Sequence, residues 1–405
     1  PDAAPAEIAA AVSHSDRALG VAPHGVDLRT DGHQKVKLYY SFGFDCSKRY
    51  NIQYLAPALL IHSTGNTVQT LNVETLAQAY LKGLDGGGIG AVAVHPSRQY
   101  FAVCEKGINP NVYIYEYPSI KLVSTLRNGT ECAYSTAVFS ADGSKLATVG
   151  NYPDYWLTVW KWDTAEIQLR SKAFSQEIFK VSFSEFYEGQ MTTSGTGHVR
   201  FWKMASTFTG LKLQGAIGKF GSIEISDVAG YTELPDGKVL SGTESGNLLL
   251  WDGDLIKVEI SMTKGRPCHD GMIEIVQLHV NDRYILTAGI DGYVRKWDFD
   301  LIDGADVTED SNIFEMNPLE EVCDGKRVEI KSIVVEEDQL IIKDKESSLI
   351  RVDFNSNATT TITQFHSGPI NALDTSPVNH FAASAGKDGS VRLIDYCARR
   401  MVYQR

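Results

Sequence analysis

The chain is poor in basic residues and in cysteine, and it has no long apolar run. Its 405 residues carry 38 Lys and Arg against 50 Asp and Glu, a formal charge of −12. Phosphate contacts need Lys and Arg, so this balance argues against a nucleic-acid backbone as the main partner, while leaving room for a local basic patch. The six cysteines (Cys46, Cys104, Cys132, Cys268, Cys323 and Cys397) are scattered without a C-x-x-C pair. That removes zinc-type spacing and fits a reducing compartment. No stretch approaches the ~18 apolar residues of a bilayer span, so no membrane is expected. The opening Pro1-Asp2-Ala3-Ala4-Pro5 shows neither a signal peptide nor an initiator Met, and the chain reads as a piece of something longer.

Catalytic signatures are missing as well. Neither G-x-S-x-G nor H-E-x-x-H occurs, and no enzyme activity is expected. Gly86-Gly87-Gly88-Ile89-Gly90-Ala91 fits a loose dinucleotide fingerprint, but a β-strand follows where a helix is needed, so it reads as a connecting turn. Asp298-Phe299-Asp300-Leu301-Ile302-Asp303-Gly304 resembles the start of a calcium loop whose later ligands are out of place; it reads as a solvated acidic loop. No cofactor or metal is expected. The sequons at Asn128 and Asn357 are expected to go unused.

What is present is repetition. Residues 1–34 are Ala-, Pro- and Asp-rich without a sustained period, and read as a tail or linker with a short helix near Ala6 to Val12. From residue 35 to 405, short apolar strands alternate with Gly, Asn, Asp and Ser turns. Taking the third strand of each unit gives Leu71, Tyr115, Trp160, Trp202, Trp251, Trp297, Val352 and Ile394, about 42 to 55 residues apart. That period predicts an all-β chain, a WD40-type β-propeller of seven or eight four-stranded blades. Residues 36–43 fit either a first-blade strand or a strand closing the last blade.

One unit carries a complete polar signature. Leu286 to Asp298 is strand, tight turn and strand around Asp291-Gly292, a strong hairpin signal. His269 lies upstream, so His269, Thr287, Asp291 and Trp297 stand in the order that locks a blade. An imidazole can bond a strand hydroxyl on one side and the turn carboxylate on the other, and the indole N–H can complete the chain. The last unit repeats His366, Ser384 and Asp388, with Ile394 replacing the indole. The same residue types could form a hydrolytic triad, but a structural brace is the expected role. With one full brace among eight units, packing between blades must supply most of the stability.

Several connecting runs are more particular than the repeat. They are Ser41-Phe42-Gly43-Phe44-Asp45-Cys46, residues 86–96, Asn151-Tyr152-Pro153-Asp154-Tyr155, Ala173-Phe174-Ser175-Gln176-Glu177, Glu233 to Gly242 and, most distinctive, Thr207-Phe208-Thr209-Gly210-Leu211-Lys212-Leu213-Gln214-Gly215. With them the chain resembles the WD-repeat region of the cilia- and flagella-associated protein 44 family, over nearly all of residues 36–405. The resemblance implies a non-catalytic axonemal scaffold in the tether and tether-head assembly that holds inner-arm dynein motor domains against the doublet microtubule. It implies other axonemal proteins, the dynein and the microtubule as partners, together with the rest of a longer chain bearing coiled coil. The alternative is a peptide-recognition adaptor, such as a histone-tail reader or ubiquitin-ligase substrate receptor, because an acidic propeller suits basic peptides.

Overall fold

The computed structural model describes residues 41–405 except 42, 209, 309, 310, 324, 337, 338 and 357. The expected N-terminal helix and residues 36–40 lie outside the described residues. Eight sheets follow one another, over residues 53–82, 89–126, 134–172, 178–217, 231–261, 273–323, 330–364 and 370–404. In each, four antiparallel strands lie in chain order, and the eight anchors chosen from the sequence all fall on third strands. The first described strand is Gln53–Ala56, well after residue 35. The residues from Gly43 to Asn51 are instead committed to contacts across the assembly, described below.

Seven of the sheets form a ring. Among the described residues, seven buried apolar clusters are each shared by neighbouring sheets: first with second, second with third, and so on to sixth with seventh. The seventh cluster joins Ile341 and Leu349 of the seventh sheet to Tyr54, Leu60 and Leu71 of the first. Each fully buried Leu or Ile contributes about 1.5–3 kcal/mol, so these seams carry much of the stability. The eighth sheet stands outside. No residue in the first strands of the seven ring sheets is exposed, whereas Ile370–Thr375 is exposed at five of its six positions.

The segment after Trp297 departs from expectation. Phe299–Asp303 is a short α-helix, not a solvated loop. Phe299 and Ile302, three apart on one helix face, are buried in the cluster between the fifth and sixth sheets. Asp298 accepts a bond from the Leu301 N–H and caps it. Beyond it, Ile313–Glu315 adds a fifth, parallel strand to the fifth sheet along Leu255–Ser261, covering an edge that would otherwise stay open. Glu320–Cys323 then completes the sixth sheet. No helix among the described residues is long and apolar enough to cross a membrane.

Candidate functional site

The residues from Asp45 to Asn51 lie across one end of the channel. The Arg49 guanidinium donates to the Glu274 carboxylate at 2.6 and 3.2 Å and lies 4.2 Å over the Phe179 ring. The Tyr50 hydroxyl donates to the Ala229 carbonyl at 2.8 Å, and the Asn51 N–H donates to the Ser332 hydroxyl at 3.0 Å. Lys48 reaches the Ser63 hydroxyl at 2.9 Å and the Ile89 carbonyl. Ile89, Phe179, Glu274, Lys331 and Ser332 lie at the beginnings of first strands, and Ala229 just before one. One short segment thereby bonds or packs with six of the seven ring blades. Tyr50 lines two cavities, of about 230 and 320 Å³.

Buried charge holds this closure together. Glu274 is fully buried and also accepts from Lys331 at 2.7 Å. Lys343, equally buried, donates to the Asp45 and Lys48 carbonyls at 2.9 and 2.7 Å. Burial brings its pKa down to about 7, against the pull of Asp45. Burial likewise brings Lys48 to about 8, opposed by Asp45. Lys180, facing the larger cavity with Tyr50 and Tyr231, is lowered by burial to about 8. A charged lysine away from water is expensive unless hydrogen-bonded, and carbonyls supply those bonds to Lys343 here.

The seven residues expected to brace blades fall into two groups. His269 Nδ1 lies 2.9 Å from Asp291 Oδ1 and Nε2 lies 2.7 Å from Thr287 Oγ1, to which Trp297 Nε1 donates at 2.7 Å. Burial lowers the His269 pKa despite Asp291. With His269 neutral and Nδ1 protonated, all donors run one way, from indole to hydroxyl to imidazole to carboxylate. Burial opposes charge on Asp291, yet His269 and Arg295 hold its carboxyl well below the ordinary range. In the eighth sheet His366 Nδ1 is 3.1 Å from Asp388 and Nε2 is 2.8 Å from the Ser384 hydroxyl. Thr287 is fully buried and Ser384 nearly so, so neither hydroxyl faces a cavity as a nucleophile would. Among the described residues no group of His, Cys, Asp or Glu is placed to hold a metal.

Sequence reasoning missed two things. Indole-to-hydroxyl bonds recur at Trp160–Thr148, Trp202–Thr193 and Trp251–Ser241, at 2.8, 2.9 and 2.8 Å; the visible signal was a Ser or Thr on the strand before each Trp. The charged closure was missed altogether, although Lys331 and Lys343 stand beside the apolar runs Ile333 to Val335 and Leu340 to Ile342 of their strands.

The family described as "WD domain, G-beta repeat" matches residues 262–298 and 357–395. The chain is similar to cilia- and flagella-associated protein 44 of Mus musculus, 45% identical over 379 residues, which is 90% of this chain and 20% of that protein. The protein of the same name in Chlamydomonas reinhardtii is 45% identical over 370 residues, 87% of this chain and 21% of that one. The chain therefore spans about a fifth of the length of these relatives. Among solved structures, the computationally designed Ika8 protein superposes with a TM-score of 0.57 at 14% identity, over 87% of this chain and 96% of that one, a likeness of fold alone.

Proposed function

The chain belongs to the cilia- and flagella-associated protein 44 family over the region it spans, and from that premise we propose that this cilium- and flagellum-associated WD-repeat ring is a non-catalytic scaffold of the axoneme. In the whole protein it serves the tether and tether-head assembly that positions inner-arm dynein motor domains on the doublet microtubule. The observation that carries the scaffold reading is the closure at Glu274. A channel end crossed by the chain's own Arg49 and Tyr50 favours a rigid body that binds partners by its outer surfaces. The seven brace residues then lock the strands of the sixth and eighth sheets, each within its own blade.

The test is localisation of the tagged full-length protein in a flagellated cell, followed by detergent and salt extraction. Signal retained along the axoneme after detergent, with dynein displaced when the protein is deleted, is the expected result. A diffuse or nuclear signal overturns it. One observation favours the peptide-adaptor reading: the larger cavity has the Glu185 and Glu233 carboxylates and the Phe183 and Tyr231 rings in its wall, beside Lys180. A pull-down recovering only histones or ligase subunits would decide for that reading.

A further inference from the structure

We propose that the hairpin of the fourth blade is a docking arm for a partner protein whose surface carries an apolar socket rimmed by acidic residues. The arm is built from His198–Thr207 and Gly210–Ile217, ten and eight residues long. The inner neighbour, Gln190–Gly195, pairs only as far as Gln190 with Lys203. Met204, paired with Leu213, still donates its N–H to the Gly189 carbonyl; past it Ala205 pairs with Lys212, Ser206 with Leu211 and Thr207 with Gly210, with no third strand beside them. Three residues at about 3.3 Å each carry the tip roughly 10 Å beyond the blade. Phe208 at that tip is fully exposed.

Two-stranded hairpins are marginal alone and gain stability when a face is covered. This arm has two unlike faces. Met204, Leu213 and Leu211 lie on one; Met204 and Leu213 pack at its base on the cluster between the third and fourth sheets, while Leu211, nearer the tip, is half exposed. Lys203 and Lys212 lie on the other, both exposed. Among the described residues no carboxylate lies within 4 Å of either ammonium, whereas Lys219 at the foot pairs with Asp254.

The charge around the arm selects the partner. Residues 189–223 contain no Asp or Glu but carry Arg200, Lys203, Lys212 and Lys219, in a chain of net charge −12. A basic, aromatic-tipped projection is attracted to acid-rich surfaces, with copies of its own acidic body as the competing occupant. Phe208 fits the role of an anchor in an apolar pocket, and Lys203 and Lys212 that of the charged rim.

The experiment uses the full-length protein, with a photo-crosslinking phenylalanine analogue at position 208, expressed in the flagellated cell. Its readout is the crosslinked peptide, so it does not depend on whether the protein stays with the axoneme. The expected result is a crosslink to one partner at an apolar residue flanked by Asp or Glu. The pair K203E and K212E should lower its yield about ten-fold or more, while thermal unfolding stays unchanged because both lysines are exposed and on the face turned away from the seam. Crosslinks confined to the protein itself, to lipid, to nucleic acid or to a site without acidic neighbours would overturn the proposal. So would a yield indifferent to the charge reversal.

Discussion

Arg49 and Glu274 stand 225 residues apart in the chain and meet at 2.6 Å across the end of the channel, with the carboxylate fully buried. Lys331 shares the same carboxylate from a neighbouring blade. Three elements distant in sequence are thus tied to one charge.

Replacing Glu274 by Gln removes the carboxylate that Arg49 and Lys331 share and leaves Lys331 its pairing with Glu329. Breaking such a pair from one side costs about 3–5 kcal/mol, so E274Q should lower the urea unfolding midpoint strongly. Pairing E274M with K331M removes both charges and should recover part of the loss. Equal midpoints for E274Q and the parent protein would refute the role given to this carboxylate.

Lys343 predicts a pH dependence. Its pKa is about 7 when folded, below the ordinary 10.5, so between these values the unfolded chain binds more protons than the folded one. Stability from this group therefore rises with pH across that window, by at most about 1.4 kcal/mol per unit, and is flat below it. The difference in unfolding free energy between the parent and K343M should grow in the parent's favour from pH 7 to pH 9.5. A constant difference would contradict the burial cost assigned to the ammonium.

Thr287 and Ser384 occupy equivalent places in the sixth and eighth sheets. T287V strands the Trp297 indole N–H and the His269 ring in the interior, at about 2–4 kcal/mol. The substitution S384A should leave the main unfolding transition in place, because its sheet takes no part in the ring. Equal effects on that transition would mean that the eighth sheet unfolds with the ring.

Ending the chain after Gly368 keeps Phe365, which stacks on Phe44, and removes the eighth sheet. The midpoint of the ring's thermal unfolding should move by no more than about 2 °C. Loss of a cooperative transition in calorimetry would overturn the seven-bladed closure.

The blades were legible because each indole needs both burial and an acceptor. Trp160, Trp202, Trp251 and Trp297 meet both needs at one point of the repeat, and the spacing between them is set by the sheet. Even Val352 and Ile394, which lack the indole, keep the register. Closure was not legible for the opposite reason. Whether seven or eight units form the ring depends on which sheet meets Leu60 and Leu71, a contact made by Ile341 and Leu349 some 270 residues later. No local pattern encodes that choice. The helix Phe299–Asp303 is too short for its period to register, and its apolar pair is visible only once the neighbouring cluster is known.

The seam between Asn51 and Ser332, separated by 281 residues, also sets a timetable. At about 5–20 residues per second, a ribosome needs roughly 15–55 seconds to travel from one to the other. Throughout that interval the face of the first blade bearing Leu60 and Leu71 has no neighbour to cover it, and Arg49 has no Glu274 for most of it. A nascent ring is an open arc with two sticky ends. Completion waits for the seventh blade, and chaperone attention is expected to fall on residues 44–73 until it arrives.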